Sequence, residues 1–179
     1  MTELLRVADV ADRELTWTQP SFTKQVYHLS EHGALVGRLV FPRMLGTLAE
    51  AESGDGAWTF KRVGFWQQRA TVRTPGSDHD LAVFQNNTWK GGGTLQFTEG
   101  TRFRATTNFW NTRFAWETEE EQALVRFHYG GAFKLSATVE IQEAARTLPQ
   151  LPLLLLFGWY LCVMLHRDAS GVAAAAAAG

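Results

Sequence analysis

The chain has 179 residues, 45% of them apolar and 12% aromatic, ample material for one domain with a sizeable core. Its 17 basic and 18 acidic residues leave a formal charge of -1, so no global field draws it to nucleic acid or acidic lipid and any such attraction must be local. The single cysteine, Cys162, excludes an internal disulfide and a multi-thiolate metal site; with acids spread through the N-terminal stretch where a leader would be basic then apolar, a reducing, cytoplasmic setting is expected.

From about Arg13 to Gln142 the apolar pattern has period two and is broken at short intervals by turn-forming residues, the pattern of an all-β domain. The clearest case is 134–142, where Leu135, Ala137, Val139 and Ile141 alternate with Ser136, Thr138, Glu140 and Gln142. Breaks such as Glu31-His32-Gly33, Ser53-Gly54-Asp55-Gly56, Pro75-Gly76-Ser77-Asp78 and Gly130-Gly131 suit hairpins, so consecutive strands should pair antiparallel. Twelve strands are expected, near 13–19, 25–30, 34–41, 45–51, 57–62, 67–74, 80–85, 93–98, 101–107, 113–118, 122–129 and 133–142.

The pattern then changes. Leu148 to Leu165 is apolar on every side apart from Pro149, Gln150, Pro152 and Gly158, so a helix here must be wrapped by protein or by lipid. Pro152 belongs in a first turn, which places the helix at about 151–166, and about 15 residues at 1.5 Å each give roughly 22 Å, short of the roughly 30 Å of a bilayer core. A buried helix is therefore expected. A closed barrel of about twelve strands has an interior too wide for its own side chains, and this helix would fill it: Leu154, Leu155, Phe157, Trp159 and Leu161 as the plug, with Gly158 letting one wall approach the axis. Residues 1–168 make one domain on this reading. The tail 169–179, ending in a run of alanines, is expected to be disordered or partly helical.

Many short strands followed by Leu-Pro-Leu-Leu-Leu-Leu-Phe-Gly-Trp-Tyr-Leu (151–161) resemble the tubby C-terminal-like superfamily, which includes tubby proteins, phospholipid scramblases and the LURP-one-related proteins. Gly56-Ala-Trp-Thr-Phe-Lys-Arg-Val-Gly-Phe65 and Trp89-Lys-Gly-Gly-Gly-Thr-Leu95 add to the likeness. The resemblance implies a twelve-stranded barrel around a hydrophobic C-terminal helix. In tubby proteins basic side chains on the barrel bind phosphoinositide headgroups; the calcium-binding features of scramblases have no counterpart here, since no acidic run has ligand spacing.

The basic candidates are Lys61, Arg62, Arg69 and Arg73, on two neighbouring strand runs that would gather the cations a phosphate or anionic lipid requires. Arg102, Arg104 and Arg113 form a second group. Asp78-His79-Asp80 offers metal-ligating types but lies in a turn signal, where polar residues are expected anyway. His28, His32, His128 and His166 are scattered without a local nucleophile, and Cys162 reads as a core thiol. Glu117, Glu119, Glu120 and Glu121 read as a solvated acidic turn, and the seven tryptophans as core and rim residues rather than a base-stacking platform. Gly91-Gly92-Gly93 reads as a bulge or hairpin.

No catalytic constellation, metal site or cofactor is read from the chain. The expected function is a non-enzymatic binding or scaffold domain in the cytoplasm. Its partner would be an anionic phospholipid headgroup, a phosphate compound or a protein, with no nucleic acid and at most peripheral membrane contact. The alternative is a tail-anchored or scramblase-like protein with residues 148–166 in lipid, flanked by Arg146 and Arg167.

Overall fold

The computed structural model describes residues 3–64, 69–87, 92–108 and 110–178, without the side chains of 172 and 173. Twelve strands run in chain order: β1 (Leu15–Thr18), β2 (Val26–Glu31), β3 (Ala34–Val40), β4 (Ala49–Ser53), β5 (Gly56–Val63), β6 (Arg69–Arg73), β7 (Asp80–Asn86), β8 (Gly93–Phe97), β9 (Arg102–Thr107), β10 (Arg113–Glu117), β11 (Ala123–Gly130) and β12 (Ser136–Ile141). Each pairs antiparallel with its chain neighbours, and β1 closes the barrel on β12 with Leu15 opposite Val139 and Trp17 opposite Ala137. The two-residue hairpin β2–β3 turns on His32 and Gly33, both at positive φ (45° and 89°), the conformation a type I′ connection demands.

Alternation decides which side chains point inward. In β12 the burial pattern is strictly exposed then buried, and Ala137, Val139 and Ile141 face the interior as their spacing predicts. One strand differs from expectation: β4 lies at Ala49–Ser53, not 45–51. Residues 41–48 instead form a loop whose carbonyls serve the helix, because the Gly46 oxygen accepts from Arg167 and the Thr47 oxygen from Tyr160. Those groups are thereby withdrawn from a ladder. Of the motif residues quoted above, Phe65 and 89–91 lie outside the described residues, as do 67 and 68 of the sixth expected strand.

The helix α1 spans Leu151–Ala177, with Pro152 in its first turn. It runs eleven residues past the end expected near His166, and the tail expected to fray continues it. Alanine is the strongest helix former and nothing before Gly179 interrupts the turns. At 27 residues it is about 40 Å long, so the length argument against a membrane span falls. What keeps α1 in protein is burial: every residue from Leu153 to Met164 except Gly158 is a side chain no more than 8% exposed inside the barrel. Two glycines set how closely helix and wall approach. A Cβ on Gly158 would lie 2.7 Å from Phe127 Cζ and 2.7 Å from Trp116 Nε1, and one on Gly37 of β3 3.0 Å from Leu156 Cδ2. Trp116 donates its indole N–H to the Leu154 carbonyl at 2.8 Å, tying β10 to the helix. Around Phe157 the rings of Phe60, Phe84, Trp116 and Tyr160 pack within 6.2 Å, centroid to centroid.

Because the strands alternate in direction, the odd-to-even connections gather at one rim and the even-to-odd connections at the other. The helix follows β12, enters from the even-to-odd side and leaves among the odd-to-even loops, where Arg167 meets Gln25 of the β1–β2 loop and Gly46 of the β3–β4 loop. We call this the exit rim. The opposite rim is stoppered by the N-terminal segment: Leu5 N–H donates to Leu35, Val7 N–H to Asp55, and Val7, Val10 and Ala11 are buried.

Candidate anion-binding site at the helix exit

The four cations of the basic candidate do not share a face. Lys61 and Arg62 are consecutive in β5, so they point to opposite sides. Arg62, opposite the buried Ala70, turns into the barrel mouth, and its two terminal nitrogens donate to Asp168 of α1 at 2.7 and 3.1 Å. That pair holds the Arg62 guanidinium above its ordinary pKa, its hydrogen bonds outweighing partial burial. Arg73 lies toward the opposite rim and donates to Asp80 at 2.6 Å. By alternation Lys61 and Arg69 point outward as Arg73 does, and Arg69, at the exit-rim end of β6, also lines a pocket with Arg62 and Asp168; neither Lys61 nor Arg69 has a described carboxylate within salt-bridge distance.

The other candidates separate as well. Arg104 and Arg102 reach Glu121 and Glu119 at 2.7 and 3.8 Å near the opposite rim, whereas Arg113 opens β10 at the exit rim. In the 78–80 turn Asp80 is engaged by Arg73, and among the described residues no three His, Cys, Asp or Glu side chains form a metal-binding group. Cys162 is fully buried, which pushes its thiol pKa well up and its reactivity down. His128 faces Glu140 at 4.0 Å on the outer wall. His166 lies partly buried at the helix exit, which lowers its pKa.

A cleft of about 470 Å³ opens at the exit rim between α1 and the loops β1–β2, β3–β4 and β11–β12, with Arg62, Arg167, Asp168, Gln25 and Tyr27 among its lining. Its chemistry turns on Arg167. The guanidinium lies 4.0 Å over the Phe41 ring and donates to the Gly46 carbonyl at 3.0 Å and to Gln25 Oε1 at 2.8 Å. All of these partners are neutral. No described carboxylate lies within salt-bridge distance of Arg167; Asp168, the next residue, is given to Arg62. Burial, the largest influence, and then the nearby Arg62 lower the Arg167 pKa, while Tyr27 and Tyr160 oppose the shift. Two guanidinium groups and one carboxylate leave the cleft with one uncompensated positive charge in a partly desolvated place, which favours an anion.

Arg167 was legible in the sequence only as a flank of the apolar run, because its partners come from loops more than 100 residues away. The parity of the connections is the signal that finds its surroundings. The six exit-rim connections, 19–25, 41–48, 64–68, 87–92, 108–112 and 131–135, contain no aspartate or glutamate, whereas the even-to-odd turns carry Asp55, Asp78, Glu99, Glu119, Glu120 and Glu121.

No family model matches the chain, and no curated protein matches it. Among solved structures, a crystal structure of an Arabidopsis thaliana protein is similar at a TM-score of 0.50 and 15% identity, over 73% of this chain and 82% of that one. At that identity the likeness is one of fold, a closed β-barrel with a C-terminal helix.

Proposed function

We propose that the barrel is a non-enzymatic binding module for a phosphate-bearing anion, a lipid headgroup or a free phosphate compound, held in the helix-exit cleft. The observation that carries this reading is Arg167, a partly buried guanidinium that meets only neutral acceptors at the edge of an open cleft. Its planar fork suits phosphate oxygens, and Arg62 stands beside it with a charge already matched by Asp168. A relationship to the tubby C-terminal-like barrels is part of the proposal. It is supported by the central apolar helix within twelve strands and by the Arabidopsis fold likeness. A cytoplasmic protein, peripheral to the membrane at most, is consistent with a lone, buried cysteine.

Calorimetric titration with inorganic phosphate, glycerol 1-phosphate and inositol 1,4,5-trisphosphate tests it. The wild-type chain is expected to bind at least one of these probes, and Arg167→Gln to lose about tenfold or more of that affinity. Arg167→Lys, which keeps the charge without the fork, should fall between them, and Lys61→Gln on the outer wall should change little. Absence of binding by wild type at millimolar probe, or equal binding by Arg167→Gln, would overturn the proposal.

A further inference from the structure

Three neighbouring exit-rim loops share one composition. The β11–β12, β1–β2 and β3–β4 connections follow one another around the barrel, because β12 adjoins β1 and β2 adjoins β3. Each sets a large apolar side chain at its tip: Phe133 is 90% exposed, Phe22 68%, Leu45 96% and Met44 64%. Each also carries an exposed cation within two residues of that tip, Lys134, Lys24 and Arg43 respectively. Of the seven large hydrophobic side chains most exposed among the described residues, six lie in the exit-rim loops, Trp110 and Leu48 being the others; only Leu81 lies elsewhere. Such residues would be expected under cover in a free-standing domain.

Charge identifies the cover. The rim loops have cations and no acids, and Asp168 at the helix exit is neutralised by Arg62; Glu50, one residue inside β4, belongs to the wall below. Separate apolar tips interleaved with cations suit an interface that is apolar at depth and anionic at its surface. The helix leaves through the middle of the same rim, and its last described turns are exposed alanines.

We infer that the exit rim docks on an anionic phospholipid bilayer, its loop tips entering the interface while Lys24, Arg43 and Lys134 meet the headgroups. The inference extends the anion-binding reading by assigning the ligand's source to a membrane surface, and the test keeps the two apart. Full-length protein is sedimented with sucrose-loaded vesicles of phosphatidylcholine alone or with about one third phosphatidylserine, at low and high salt. Partition into the anionic vesicles should exceed that into the neutral ones at least about tenfold and weaken with salt. Phe22→Ser/Leu45→Ser/Phe133→Ser should lose about tenfold or more of vesicle binding with its melting temperature unchanged. Lys24→Gln/Arg43→Gln/Lys134→Gln should lose about a hundredfold, since each cation near the surface is worth about a factor of five. Equal partition into neutral vesicles, vesicle binding that survives the serine variant, or self-association through the rim without vesicle binding would overturn the inference. Vesicle binding that depends on the tips, in a protein that binds no soluble phosphate probe, would sustain the rim and sink the cleft. Phosphate binding that depends on Arg167, without vesicle binding, would do the reverse.

Discussion

Replacing Gly158 with alanine tests how the barrel grips its helix. In an exposed helix the change would stabilise by up to about 1 kcal/mol, because alanine restricts the unfolded chain and glycine does not. Here the new methyl would sit 2.7 Å from Phe127 Cζ and from Trp116 Nε1, roughly 1 Å inside ordinary van der Waals contact. Neither ring has room to yield: Phe127 and Trp116 are both 0% exposed, and Phe114 packs edge-on against both. Overpacking of this kind costs about 1–3 kcal/mol. Moving the indole also strains its 2.8 Å bond to the Leu154 carbonyl, and a buried donor left without a partner costs about 1–3 kcal/mol more. Against the helix gain the net is about 1–5 kcal/mol of destabilisation, or a melting temperature lower by roughly 2–20 °C for a chain of this size. Urea unfolding followed by tryptophan fluorescence reads it directly. A Gly158→Ala protein as stable as wild type, or more stable, would refute the close approach of helix and wall.

Leu155 is 0% exposed at the centre of α1, so Leu155→Asp should give no folded barrel by far-UV circular dichroism; a soluble, folded variant would contradict the buried helix. Asp168→Asn frees Arg62 from its carboxylate. Both side chains are partly exposed, 25% and 43%, so the stability loss should stay within about 1 kcal/mol, while calorimetry should show affinity for phosphate probes raised several-fold because two cations then face the cleft. His28 and His166 are both held below the ordinary imidazole pKa, by burial first in each case and for His28 also by Arg38. The unfolded chain therefore takes up protons at these sites before the folded one does, and stability present above about pH 6.5 is lost as the pH falls through the folded values. Melting temperatures measured between pH 8 and 5 should drop on the acid side, and drop less in His28→Asn/His166→Asn.

Much of the architecture is readable in one dimension because alternation and hairpin turns are local. Leu135, Ala137, Val139 and Ile141 point inward in β12 because neighbouring side chains in a strand must face opposite ways, and His32-Gly33 turns because its residues accept positive φ. Gly158 was legible for a related reason, since a glycine in an otherwise bulky apolar helix implies a close neighbour. One departure from expectation is non-local. The shift of β4 to Ala49–Ser53 follows from carbonyls at 46 and 47 being taken by side chains of a helix more than 110 residues on. The grouping of Lys61, Arg62, Arg69 and Arg73 overlooked the same alternation that located the strands. Consecutive Lys61 and Arg62 cannot share a face, and Arg62 found its partner 106 residues away at Asp168.

A net charge of -1 conceals an uneven distribution, and the topology explains how it can be uneven. In a closed meander every second connection reaches the same rim, so a composition bias on alternate loops, invisible as a sequence average, becomes a bias between the two ends of one body. The helix adds a constraint at one end only. Inside the barrel its side chains must be apolar on every face, and where it leaves, at Leu165 to Asp168, it crosses from buried to exposed and becomes polar within one turn. A helix serving only as a plug would gain nothing from placing there a guanidinium that burial penalises and no described carboxylate compensates. Arg167 instead points its donors at the β1–β2 and β3–β4 loops, whose tips carry Phe22, Met44 and Leu45. Arg167 is thus in direct hydrogen-bond contact with the loops that form the proposed docking surface. An anion bound at Arg167 would be felt first in those loops.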